Sequence, residues 1–185
     1  MTVFNPVSDM PAMYQLEWRN GRIDEIYGHR GYYYVFSDSE VLSFLPTPAW
    51  CNICGKITLC EKLESPEAIK SELDQLEEPE SEIAKMLRRS STPDFSDRWK
   101  RRREMDLLLV TQRTEPASCL TCGGRQVVHF IDDVWMPHPG TGEEVRFSCS
   151  GMCSTTFAMK FYDLEGRLLE IDTDDKKRLL AKGYL

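Results

Sequence analysis

The sequence predicts an α+β protein: N- and C-terminal antiparallel β segments, joined through four cysteines, carry an inserted helical hairpin or bundle and a C-terminal helix. Three observations predict it. Aromatic and β-branched residues cluster in short runs toward both ends of the chain, apolar residues recur at helical spacing between Cys60 and Cys119, and two Cys-x-x-Cys-Gly motifs stand where these regions meet. With 185 residues the chain reads as a single domain that can bury a core of its own.

Residues 14–60 read as the N-terminal β segment. "YQLEW" and "RIDEIY" flank Asn20-Gly21, a pair that suits a tight hairpin, and "GYYYVF" supplies a third strand. A short run, "VLSFL", leads through Pro46 and Pro48 to the first cysteine motif, and "KITLC" after it is again strand-like.

Residues 61–115 change to helical character. Ser65-Pro66-Glu67 offers an N-cap, a first helical position and an acidic first turn, after which Ile69, Leu73 and Leu76 keep helical spacing until Pro79. A second helix carries Ile83, Met86 and Leu87, and a third, after "SSTPD", carries Phe95 and Trp99. Charge is segregated here: residues 61–82 hold nine acids against Lys62 and Lys70, whereas residues 85–103 hold eight bases against Asp94 and Asp97. Two such halves, laid antiparallel, neutralise one another.

Residues 116–172 return to strands with "RQVVHFID", "EEVRFSCS", "TTFAMKFYD" and "RLLEID", the last two around a turn at Leu164-Glu165-Gly166. Residues 173–185 read as a terminal helix capped by Asp172 or Thr173 and stopped by Gly183.

"PAWCNICGK" presents Cys51 and Cys54 either as a redox dithiol or as half of a metal site. A thioredoxin-type dithiol needs a helix N-terminus to stabilise its thiolate, after a βαβ unit. Hairpin character precedes Cys51 and a glycine with a strand follows Cys54, so that helix is missing. The second pair, Cys119 and Cys122 in "SCLTCGG", repeats the spacing and the following glycine. The two-residue spacer lets both sulfurs point at one ion, and the glycine permits the turn that aims backbone N–H groups at them. Four thiolates make the closed tetrahedral set of a structural zinc site. Over residues 50–56 and 118–124 the chain resembles the zinc-ribbon proteins, which implies zinc held by Cys51, Cys54, Cys119 and Cys122. The separation departs from that pattern, with 64 residues between the pairs where about fifteen to twenty are usual. The longer loop costs roughly 1 to 1.5 kcal/mol, small against apparent zinc affinities of about 10 to 16 kcal/mol in small structural sites.

Of the other reactive residues, Cys149 and Cys153 form a second candidate metal or redox pair with His129 or His138 nearby in sequence, although their spacing is not that of a knuckle. Cys60 reads as a core thiol, and His29, His129 and His138 as surface or hydrogen-bonded residues. No dinucleotide fingerprint, P-loop, G-x-S-x-G or H-E-x-x-H motif occurs.

Net charge is −7, which disfavours adhesion to nucleic acid or to an anionic membrane. The densest apolar stretch, "LLLV", is far too short to span a bilayer. The first nineteen residues have neither a basic start nor an apolar run, so a cytoplasmic protein is expected, with thiols kept for metal rather than for disulfides. The expected function is that of a non-enzymatic, zinc-stabilised binding protein of immunity, inhibitor or adaptor type. Its partner is another protein, a basic one if met through Glu72, Asp74, Glu77 and Glu78. One alternative is a nucleic-acid-binding regulator using Arg98, Trp99, Lys100, Arg101, Arg102 and Arg103, although the neighbouring acids compete for those bases. A second alternative is a thiol-disulfide oxidoreductase.

Overall fold

The computed structural model describes residues 12–27, 31–37, 40–90, 94–152 and 159–181. In chain order its strands are β1 (Ala12–Trp18), β2 (Ile23–Tyr27), β3 (Tyr32–Ser37), β4 (Glu40–Phe44), β5 (Thr47–Cys51) and β6 (Lys56–Cys60). Helices α1 (Pro66–Glu77), α2 (Glu82–Arg88) and α3 (Phe95–Gln112) follow. Then come β7 (Val127–His129), β8 (Trp135–Pro137), β9 (Glu144–Met152), β10 (Lys160–Tyr162), β11 (Leu168–Leu169) and α4 (Thr173–Ala181). The class is α+β, with mostly antiparallel strands in three sheets and a helix near the C-terminus.

The chain divides into two compact units, each made of three separate stretches. The first comprises Met1–Tyr32, Phe44–Lys62 and Ala117–Lys160. Here β1 and β2 form the anticipated hairpin around Gly21, whose φ of 83° suits glycine. β1 then pairs with the distant β9, in the sheet order β2-β1-β9-β8. Alternation along β1 and β9 turns Tyr14, Leu16, Trp18, Val145 and Phe147 to one face, where they close a core with Phe130. A second sheet, β6-β5-β7, presents Trp50 and Ile57 to that core, and alternation along β5 and β6 turns Ala49, Cys51 and Cys60 to its other face. Pro48 is tolerated in the central strand because β7 pairs only with Ala49, Trp50 and Cys51.

The second unit comprises Tyr33–Ser43, Leu63–Pro116 and Phe161–Leu185. Its sheet runs β11-β10-β3-β4. Tyr33 stacks on Phe161 with ring centroids 5.2 Å apart, and Val41 and Leu179 of α4 complete that core. Ser65 caps α1 by accepting from Ala68 N, with Pro66 inside the first turn as anticipated. Asp172 rather than Thr173 caps α4, its Oδ1 accepting from the N–H groups of Asp174 and Asp175. Gly183 lies outside the described residues.

One expectation is corrected and one strand is new. The run at 31–36 forms a strand, but not in the sheet of the hairpin before it: β3 joins β4 and β10 instead. β8 was not anticipated, because three residues flanked by Asp132, Asp133 and prolines carry no alternation to read. Among the described residues no helix is long and apolar enough to cross a membrane.

Candidate metal centre

Cys51 ends β5 and Cys54 lies in the turn before β6, while Cys119 and Cys122 flank the turn that precedes β7. Each motif folds the same way. Gly55 N–H donates to the Cys51 carbonyl at 2.9 Å, and Gly123 N–H to the Cys119 carbonyl at 2.8 Å. Both glycines sit at positive φ, 62° and 70°, which any side chain would oppose. The turn aims backbone donors at sulfur: Cys54 N–H lies 3.4 Å from Cys51 Sγ, and Gly124 N–H 3.4 Å from Cys122 Sγ.

Strand pairing brings the two knuckles together. Cys51 is opposite Val127 in the β5–β7 pair, and Cys60 is opposite Cys119 in an isolated antiparallel bridge. Leu120 N–H donates to the Leu59 carbonyl at 3.0 Å and Asn52 N–H to the Gln126 carbonyl at 3.0 Å. The four Sγ atoms all lie within 4.8 Å of one another. Cys51 Sγ is 3.7 Å from Cys122 Sγ, and Cys54 Sγ is 3.8 Å from Cys119 Sγ, far beyond the roughly 2.05 Å of a disulfide. Such a cluster can hold a metal ion. Cys51 and Cys119 are buried whereas Cys122 is exposed.

The sulfurs are not equivalent as acids. Burial of Cys119 favours the neutral thiol but is outweighed by the backbone N–H groups of Cys122 and Thr121, so its pKa comes down to about 7. Hydrogen bonding to Cys122, with burial second, pushes Cys54 up to about 12. Cys119 is thus the stronger acid of the two.

The other anticipated residues are placed as follows. Cys60 is buried against Cys119 as a core thiol, and burial raises its pKa. Cys149 is exposed on β9, while Cys153 and His29 lie outside the described residues. Among the described residues no further group of three or more metal-ligating side chains gathers. His129 sits on β7 with Nδ1 3.3 Å from Thr47 Oγ1. His138 is buried, and its Nδ1 accepts from the N–H groups of Gly140 and Thr141 at 3.2 Å each.

Of the proposed acidic face, Glu72 lies 2.9 Å from buried Arg103 and Glu77 pairs with Lys100, leaving Asp74 and Glu78 exposed on or beside α1. The basic run is divided in the same way. Trp99 is buried, Arg103 is 3% exposed among carboxylates, Arg102 bonds Ser43, and Arg101 pairs with Glu40. Arg98 is exposed. Trp99 and Arg103 are therefore not on the surface where a nucleic acid would meet them, because the apolar stripe of α3 turns both inward.

Sequence reasoning missed Glu61. Counted above among the acids of the helical stretch, it is fully buried beside the second knuckle, where its Oε2 accepts from both the N–H and the hydroxyl of Ser118 at 2.7 Å. No local signal marks it, since its partner is 57 residues away. Compared with protein-family models, curated proteins and solved structures, the chain matches none.

Proposed function

We propose that the four-cysteine centre is a structural zinc site and that the protein is a non-enzymatic binding protein acting on another protein. The observation that carries the metal assignment is the spacing of the sulfurs. Zinc–thiolate bonds of about 2.3 Å in a tetrahedron set sulfurs roughly 3.8 Å apart, and the cross-knuckle separations are 3.7 and 3.8 Å. Four thiolates fill the coordination sphere, so no position remains for an activated water, which argues against a catalytic metal. The same sulfurs, engaged in zinc, are withdrawn from dithiol chemistry.

The partner reading rests on charge. The net charge of −7 and exposed Asp74 and Glu78 favour a basic protein surface, as in inhibitor or immunity pairs. Native mass spectrometry with elemental analysis tests the metal: one zinc per chain is expected, lost in the Cys119→Ser/Cys122→Ser variant. A metal-free protein that reduces insulin through Cys51 would overturn the assignment. A partner retained by the wild type should be lost, with a slower on-rate at low salt, when Asp74 and Glu78 are changed to Lys. Unchanged kinetics would remove the acidic face from the proposal.

A further inference from the structure

Glu61 stands one residue beyond β6, is fully buried, and accepts two hydrogen bonds from one residue, Ser118. Arg125 Nη1 approaches the same oxygen to 4.0 Å. The backbone answers in the opposite sense, with Glu61 N–H donating to the Ser118 carbonyl at 2.9 Å. Ser118 directly precedes Cys119, and Arg125 lies three residues beyond Cys122. One carboxylate thus binds the residue before the second knuckle and faces the arginine after it, using groups that are not the clustered cysteines.

We infer that Glu61 is a positioning residue for the metal centre: it fastens the second knuckle to the end of β6, so that Cys119 is preset opposite Cys60 before metal binds. The inference rests on the cysteine cluster binding metal. The physical reason is the long connection. Metal binding to a loose second knuckle must close a 64-residue loop as it forms four bonds, whereas a fastened knuckle has already met that cost. Glu61 acts through Ser118, whose N–H and hydroxyl both donate to it and which is not itself a ligand.

Cobalt(II) titration of the reduced, metal-free full chain, in competition with a chromophoric chelator, tests this on the wild type and on Glu61→Ala, Glu61→Gln and Ser118→Ala. Near-ultraviolet circular dichroism tracks folding alongside. The wild type is expected to develop the absorption of tetrahedral cobalt thiolate. Removing outer-shell support typically weakens a metal site about 10- to 100-fold. That loss is expected in Glu61→Ala, with the same spectrum at saturation. A smaller loss is expected in Ser118→Ala, and partial recovery in Glu61→Gln, whose amide oxygen still accepts from Ser118. Unchanged cobalt affinity in a folded Glu61→Ala variant would overturn the inference, giving Glu61 a purely structural role. If Glu61→Ala does not fold, unchanged affinity in Ser118→Ala overturns it instead. A wild type with no thiolate–cobalt absorption would overturn the metal assignment itself.

Discussion

His138 is held between two indoles, 5.0 Å from the Trp18 ring and edge-on to Trp50 at 4.8 Å. Because Nδ1 accepts two backbone bonds, the neutral ring carries its proton on Nε2. The neighbouring turn is fitted around this stack: a Cβ at Gly140 would come within 2.3 Å of the Trp50 ring. Burial, then the Arg22 guanidinium, lowers the pKa of His138, against the raising effect of Glu143 and Asp24. Burial and then Lys62 lower that of His129. Both histidines therefore favour the neutral form in the fold. The stability this contributes is present above the unfolded histidine pKa of about 6.5 and is lost as pH falls through the lower folded values. Proton NMR titration should place both imidazole midpoints below about 6.5, and a midpoint at or above it for either ring would contradict its placement. The sequence did not mark His138 as buried. Between prolines it reads as a loop residue, and only the pairing of β8 with β9 carries it to the core.

The helices of the second unit use the charge segregation visible in the sequence. α1 and α3 lie antiparallel, with Glu77 against Lys100 and Glu72 against Arg103. Arg103 is the centre of this contact. Its guanidinium donates to both oxygens of Glu64, at 3.0 and 2.7 Å, and to Asp106 at 2.9 Å. Burial raises the pKa values of Glu72 and Asp106 although the arginines oppose it. For these two carboxylates stability is full below the unfolded range and is lost as pH rises through the folded values. Removing the cation should shift those values further upward. Arg103→Met should therefore destabilise the unit by about 3–5 kcal/mol near neutral pH, and by less near pH 4.5, where the acids take up protons. Urea unfolding at the two pH values checks this, and an equal loss at both would reject the electrostatic account. The legibility of elements follows their range. α1 begins where Ser65-Pro66 predicts, because a cap is local chemistry. The membership of β3 was not legible, since its partners β10 and β4 are chosen by packing in a different unit from the hairpin that precedes it.

At the scale of the whole chain, the helical stretch is an excursion between two knuckles that belong to one unit. All four cysteines, and Glu61 with Ser118, fall in the first unit, while α1, α2 and α3 fall in the second. The cysteine cluster was legible despite its long separation because each Cys-x-x-Cys-Gly motif encodes its own turn. The division into units was not, because three separate stretches build each one and no composition shift marks the passages after Tyr32, Ser43 and Lys160. This arrangement decides where a bound metal would act. A ligand that binds only the folded form adds its binding free energy to the structure containing its site, and the clustered cysteines are joined through β5, β6 and β7. Hydrogen exchange read by mass spectrometry, with and without a strong chelator, should show protection falling over residues 47–60 and 118–129. The amides of α1 and α3 should keep theirs, since both helices belong to the second unit, whereas the four cysteines fall in the first. Equal loss in both regions would mean that the metal supports the entire fold as one cooperative structure. Retention in both would mean that strand pairing and the Glu61–Ser118 bonds suffice without it.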